Sequence, residues 1–291
     1  MGLLHRIKRA LRPAPPPLPT GQAGAPGPPA GRPPLVPGEH VVQAGPAAGL
    51  RLLVNDRAPA FRAMIAGTYD DFLWQAVDRM AVPPRRVLDV GAHIGYHALA
   101  FANRFPALPA GQAGAQVVAF EPNPVNVARI REHLRLNPAV APRITVRATA
   151  LADAAGTMDL NTSTNIEDQT SSGGHLAGVR PVLDAADYAR AGFKPISVPL
   201  ERLDDVARDE QWDGIDLVKI DGEGAEHLVL QGAMDTLRRH RPVLLIEVHS
   251  VACMLHVAEV LHALDYRIRL LHEDNARRAF IMAEVLPPPI H

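Results

Sequence analysis

From residue 86 onward, short apolar runs alternate with helical periods, and that alternation leaves few folds open. The runs cover 86–90, 116–120, 144–148, 215–220, 242–248, 266–271 and 279–283; the stretches 96–104, 124–136, 225–239 and 251–264 between them read as helices. One more helix, over 69–80, is expected to close an end of the core. Asn123 before Pro124 forms a cap and first-turn pair, and Ser250 caps the last helix. Strands apolar on both faces and separated by helices build a mostly parallel sheet covered on both sides. The last two runs flank a polar turn, 273–275, and are expected as an antiparallel hairpin at the sheet edge. The expectation is an α/β fold around a seven-stranded, mostly parallel sheet.

Composition narrows the function classes. Lys and Arg number 30 against 31 Asp and Glu, a balance that argues against a nucleic-acid partner. The single cysteine, Cys253, excludes an internal disulfide and a cysteine-based zinc site. No run of apolar residues is long enough for a transmembrane helix, and the first residues lack the apolar core of a signal peptide, so a cytoplasmic protein is expected. Of 28 prolines, 11 fall within residues 1–40, a stretch expected to form a disordered arm. Ahead of the prolines, residues 3–12 place Leu3, Leu4, Ile7 and Leu11 on one face of a basic stub. It reads either as a frayed terminus or as a helix making weak membrane-surface contact. Residues 41–84 are expected as an N-terminal helical segment and 85–291 as the main domain. Within that domain, Gly156 sits in a hairpin and 161–195 form a polar lid over the ligand site.

Five motifs carry candidate chemistry. Asp89-Val90-Gly91-Ala92-His93-Ile94-Gly95 follows the first run and opens a helix, where an open α/β sheet binds its ligand. A dinucleotide fingerprint needs a middle glycine to cradle phosphate; here Ala92 and His93 stand between Gly91 and Gly95. With Asp89 adjacent, the loop disfavours NAD and favours a ligand bearing positive charge. Glu121, ending the second run, can accept hydrogen bonds from ribose hydroxyls or cap the helix that follows. Asp153, past the third run, can take an exocyclic amine such as that of adenine or simply form a turn. Lys219 lies inside the apolar fourth run, where a buried ammonium requires a carboxylate partner. Asp221, Glu223 and Glu226 crowd the turn after it; such crowding raises a carboxyl pKa or recruits a cation, although Glu226 also suits a helix N-terminus. Glu247 and His249 end the fifth run on one face, and histidine can serve as a general base.

Together these residues resemble the FkbM family of S-adenosylmethionine-dependent methyltransferases. Its pattern is a D-x-G-A-N-x-G loop, F-E-P after the second strand, K-x-D-x-E-G-x-E and an E-x-H strand end. The chain supplies Asp89–Gly95, Phe120-Glu121-Pro122, Lys219–Glu226 and Glu247-Val248-His249, with His93 where the family has Asn. The resemblance implies a class I methyltransferase (Rossmann-like) fold and S-adenosyl-L-methionine as cofactor. It also implies O-methylation of a hydroxyl on a small molecule or glycan, of sugar or natural-product type. Asp89, Gly91, Ala92, His93, Gly95, Glu121 and Asp153 are then the cofactor-binding candidates. Asp221 is the candidate base and His249 the second, with Lys219 holding the carboxylates or polarising the acceptor. A metal on Asp221, Glu223 or Glu247 would orient a diol, but no dense oxygen-ligand pattern is visible and no metal is assigned. An NAD-dependent oxidoreductase and a non-catalytic binding module are the competing readings.

Overall fold

A computed structural model describes residues 37–106, 114–163, 173–179, 192–275 and 278–285. Most of the proline-rich arm, the basic stub at 3–12, and the stretches 164–172 and 180–191 of the expected lid lie outside them.

The chain opens with a hairpin, β1 (Gly38–Val41) and β2 (Arg51–Val54), then helices α1 (Pro59–Ala66) and α2 (Asp71–Val77). Next come β3 (Arg86–Val90), α3 (Tyr96–Arg104), β4 (Gln116–Phe120), α4 (Pro124–Leu136) and β5 (Ile144–Arg147). Strands β6 (Ala150–Leu151), β7 (Gly156–Ser163), β8 (His175–Leu176) and β9 (Phe193–Glu201) form a second sheet in the order β6-β9-β7-β8. Helix α5 (Leu203–Asp209), β10 (Leu217–Ile220), α6 (Glu226–Gln231) and α7 (Met234–His240) lead to β11 (Val243–Val248). Helix α8 (Val251–Ala263), β12 (Tyr266–Asn275) and β13 (Arg278–Val285) follow.

The main sheet has seven strands in the order β12-β13-β11-β10-β3-β4-β5. Strands β11, β10, β3, β4 and β5 run parallel; β13 is antiparallel to β11, and β12 to β13. From β3 the chain first winds outward through β4 and β5, then returns to β10 on the other side. The boundary between β3 and β10 is therefore a topological switch point, where ligands bind beyond the strand ends.

Alternation along the strands sorts side chains between two cores. Val87, Val117, Leu217 and Leu245 face the hairpin and helices α1 to α3. Leu88, Val90, Val218, Ile220 and Ile246 face the other side with Val229, Leu237 and Val257. Asp89 and Lys219 share the first of these faces by parity and are level in the parallel register. The buried ammonium thus meets its carboxylate: Lys219 Nζ lies 3.4 Å from Asp89 Oδ1.

Several elements differ from the sequence reading. The segment 41–84, expected to be helical, begins with the β1–β2 hairpin, and its helices are interrupted at Gly67 and Asp70, both left-handed. The hairpin folds because α4 supplies its partners: Leu53 N–H donates to His133 Nε2 at 2.9 Å, and Asn137 brackets Arg51 with two 2.8 Å bonds. The single helix expected over 225–239 breaks around Gly232. A Cβ there would stand 1.9 Å from Ala152 O, so the break is where the second sheet presses in.

His133 is wholly buried, and its Nδ1–H donates to Ile94 O at 2.8 Å. Burial lowers its pKa from 6.5 to about 4. The unfolded chain therefore binds a proton that the native state refuses, and stability should rise between pH 4 and 6.5 and then level off. The gain is on the order of 3 kcal/mol. Chemical denaturation across pH 4–8 checks this; His133→Gln should flatten that part of the curve.

Candidate active site

A cavity of about 220 Å³ opens at the carboxyl ends of β3, β4 and β10, at the switch point. Its floor is the loop after β3. Gly91, His93 and Gly95 all adopt left-handed φ, at 75°, 51° and 80°. At Gly91 the need is absolute: a Cβ would stand 1.9 Å from Asp221 O, because the β3 and β10 loops touch there. At position 93 the φ also explains the family's Asn: Asn and His are among the few non-glycine residues that tolerate this region.

Glu121 lies in the cavity wall with its side chain buried. One oxygen accepts from His93 N–H at 2.8 Å, and the other from Asn123 N–H at 2.9 Å and Asn126 Nδ2 at 3.3 Å. Burial pushes its pKa up to about 7, even though those donors favour the anion. The carboxylate lines the cavity while it ties the β3 loop to the head of α4. Beyond it, Thr149, Ala150, Leu151 and Val229 shape a recess of mostly apolar character.

The opposite end is charged. Ile220 is level with Ile246, so Asp221, just past the end of β10, stands beside Glu247 near the end of β11. Both line the cavity with Tyr69, Glu223 and Arg278. Lys219 bridges below, 3.4 Å from Asp221 Oδ2 and 3.3 Å from Gly91 O. Burial alone would lower the lysine's pKa, but Asp221, Asp89 and Glu247 outweigh it and hold the ammonium charged. Burial likewise disfavours the Asp221 anion, yet Lys219 and His249 keep its pKa below the ordinary value. Glu247, buried and beside Asp221, is pushed up to about 8.

His249 lies behind this cluster rather than in the cavity lining. Its Nδ1–H donates to Glu226 Oε1 at 2.9 Å. Glu226 is fully buried and also accepts from Gly222 N–H, Gly224 N–H and Cys253 Sγ, so one carboxylate knits the β10 loop, β11 and α8 together. Burial opposes the imidazolium, but Glu226, Asp221 and Glu223 prevail and raise the His249 pKa to about 9. Its Nε2 faces these acids, and the ring is not part of the cavity lining where an acceptor hydroxyl would lie.

Other candidates are also displaced. Asp89 is wholly buried against Lys219 and does not reach the cavity. Ala92 and Gly95 shape the loop from behind. Asp153 is exposed: after Leu151 the chain is bound to β9 through Ala152 N–H to Glu201 O at 2.9 Å, and the aspartate leaves the cavity wall. Gly91, His93, Glu121 and Asp221 do converge on the cavity. Glu247, Tyr69, Arg278 and Glu226 complete the site. Of these, only Glu247 and Glu226 carried a signal in the sequence, as members of the acidic motifs. Although the sequence shows no dense oxygen-ligand pattern, folding brings ligand atoms of Asp221, Glu247 and His249 within 4.8 Å of one another.

Residues 89–268, more than half of the chain, match the family described as Methyltransferase FkbM domain. The chain is 31% identical over 170 residues to 2-O-methyltransferase NoeI of Sinorhizobium fredii, covering 57% of this chain and 65% of that protein. It is 31% identical over 161 residues to methyltransferase sdnD of Sordaria araneosa, covering 50% and 59%. The match therefore spans less than two thirds of either relative. Among solved structures, the crystal structure of Methyltransferase FkbM from Methylobacillus flagellatus aligns with a TM-score of 0.49 at 18% identity, over 71% of this chain and 45% of that one. Among the described residues, no helix is long and apolar enough to cross a membrane.

Proposed function

The chain belongs to the FkbM methyltransferase family, and on that footing we propose that it transfers the methyl group of S-adenosyl-L-methionine to a hydroxyl oxygen. The observation that carries the reading is the cavity at the switch point. It has a buried carboxylate, Glu121, at one end, an acidic cluster at the other, and no phosphate cradle between. A sulfonium nucleoside fits that distribution. Glu121 takes the ribose hydroxyls, the recess at Thr149–Leu151 takes the base, and the loop at Gly91–His93 lies under the amino-acid part.

When bound, the cofactor supplies an electrophilic methyl carbon. The chain's part is alignment and proton removal. The acceptor oxygen forms a bond to that carbon as the carbon–sulfur bond breaks, sulfur keeps the electron pair, and the hydroxyl proton leaves to a carboxylate. The oxygen becomes strongly acidic as it bonds, so a carboxylate of lowered pKa can accept that proton. Asp221 lines the cavity, is held ionised by Lys219, and is the base in this reading. Positioning two reactants in line contributes ~7–11 kcal/mol in favourable cases and is the larger effect.

The acceptor is a hydroxyl-bearing small molecule or glycan. The relative NoeI, named as a 2-O-methyltransferase, supports oxygen as the target atom. Calorimetric titration with S-adenosyl-L-methionine, and separately with NAD, tests the cofactor. Radiolabelled methyl transfer to a panel of sugars and polyols tests the reaction. Binding of S-adenosyl-L-methionine with label on an acceptor oxygen is the expected result. Binding of NAD alone would refute it.

A further inference from the structure

We propose that Asp221, Glu247 and His249 hold a divalent cation, of Mn2+ type, at the acceptor end of the cavity. Three observations meet there. The first is the ligand geometry. His249 Nε2 stands 3.4 Å from Glu247 Oε1 and 3.7 Å from Asp221 Oδ1. Adjacent ligands of an octahedral ion bound at ~2.0–2.6 Å lie roughly 2.8–3.7 Å apart. A third carboxylate oxygen, of Glu223, is 3.3 Å from the same nitrogen. None of these three oxygens comes to the ~2.7–2.9 Å of a short charge-assisted hydrogen bond with Nε2.

The second is an orphaned atom. Asp221 Oδ1 is shielded from solvent and accepts no hydrogen bond among the described residues, while its sister Oδ2 faces Lys219. His249 Nε2 stands 3.7 Å from Oδ1, beyond hydrogen-bond reach, which leaves an ion able to take both atoms. The third is the support of the imidazole. Only 6% of the His249 side chain is exposed, and its Nδ1–H is fixed on the buried carboxylate of Glu226. With Nδ1–H held there, Nε2 is the atom turned toward the cluster, and a bound ion would take the place of its proton, which is how metal-binding histidines are held. Glu226 lies outside the ligand set and is pinned by loop N–H groups of its own.

Charge agrees. Asp221 is paired with Lys219 and Glu247 with Arg278, and each of these cations is shared with a further aspartate, Asp89 and Asp274. Two carboxylates with one imidazole favour Mn2+ over Mg2+, which takes oxygen almost alone. Asp221 and Glu247 line the cavity, so the remaining positions of the ion open toward the acceptor. This consequence rests on the methyl-transfer reading. The ion would take two neighbouring oxygens, making a vicinal diol or an α-hydroxy carbonyl the acceptor class, while the proton still leaves to Asp221.

The test is titration of chelator-treated, cofactor-free protein with Mn2+, followed by electron paramagnetic resonance of the free ion. S-adenosyl-L-methionine binding is measured on the same sample. One bound equivalent is expected, with 14N hyperfine coupling from an imidazole in the wild-type spectrum. Glu247→Gln and His249→Gln should each weaken Mn2+ at least about tenfold. The wild-type coupling decides the matter should either variant unfold. No binding at several millimolar Mn2+, binding without nitrogen coupling, or equal binding by folded variants overturns the proposal. S-adenosyl-L-methionine binding without Mn2+ binding would sink the cation and leave methyl transfer standing. Nitrogen-coupled Mn2+ binding without S-adenosyl-L-methionine binding would do the reverse.

Discussion

Asp221→Asn should lower turnover by about 10²–10⁴-fold and leave the cofactor's Kd within about threefold. The substitution keeps the shape of a side chain that lines the cavity beside Lys219 and removes its charge and proton affinity. Folding should survive, because Lys219 keeps a carboxylate level with it in Asp89, 3.4 Å away. The cofactor should still bind, because Glu121 and the Gly91–His93 loop are anchored on β3, β4 and α4 rather than on Asp221. The loss corresponds to roughly 3–5 kcal/mol of transition-state stabilisation. Single-turnover transfer of labelled methyl, paired with calorimetry of the cofactor, separates the two quantities. A variant that transfers methyl at a tenth of the normal rate or faster would remove Asp221 from the chemistry. A variant that loses cofactor affinity in step with rate would make it a structural residue.

What the sequence could and could not show follows from where the information lies. The strands of the main sheet were legible because each is apolar on both faces, a pattern set by residues a few positions apart. The partner of Lys219 was legible in kind, since a buried ammonium demands a carboxylate. That Asp89 is one such partner depends on β10 lying beside β3 in register. The pairing of Asp221 with Glu247 likewise depends on β10 lying beside β11, and no spacing in the chain encodes that. The β1–β2 hairpin escaped notice because its strands are four residues each and are completed by Asn137 and His133 from a helix eighty residues away. The expected helix over 225–239 breaks at Gly232 because the carbonyl of Ala152 arrives there from another sheet. His249 read as a base because a free imidazole is one. Glu226, buried beneath it, fixes Nδ1 and turns Nε2 toward the acids, outside the cavity lining.

Glu121→Gln should weaken S-adenosyl-L-methionine by about 10–100-fold and change the way its affinity depends on pH. Two effects combine. The amide loses the charge that makes ribose hydrogen bonds strong; a bond to a charged group contributes about 1.5–3 kcal/mol. It also presents a donor where the wild type accepts from His93 N–H or Asn123 N–H, loosening the β3 loop under the cofactor. The pH effect follows from the buried carboxyl, whose pKa lies at about 7. Bound ribose favours the anion. In the wild type, affinity should therefore be full above neutrality and fall by as much as about tenfold per pH unit below 7. The Gln variant has no such proton to gain, and its weaker affinity should stay level across the same range. Calorimetry at half-unit steps from pH 5.5 to 8.5 reads both. The key is the crossover: the two affinities should converge at acid pH, where the wild-type carboxyl is itself neutral. Parallel curves would mean that Glu121 acts only as a tie between the β3 loop and α4, with the ribose held elsewhere.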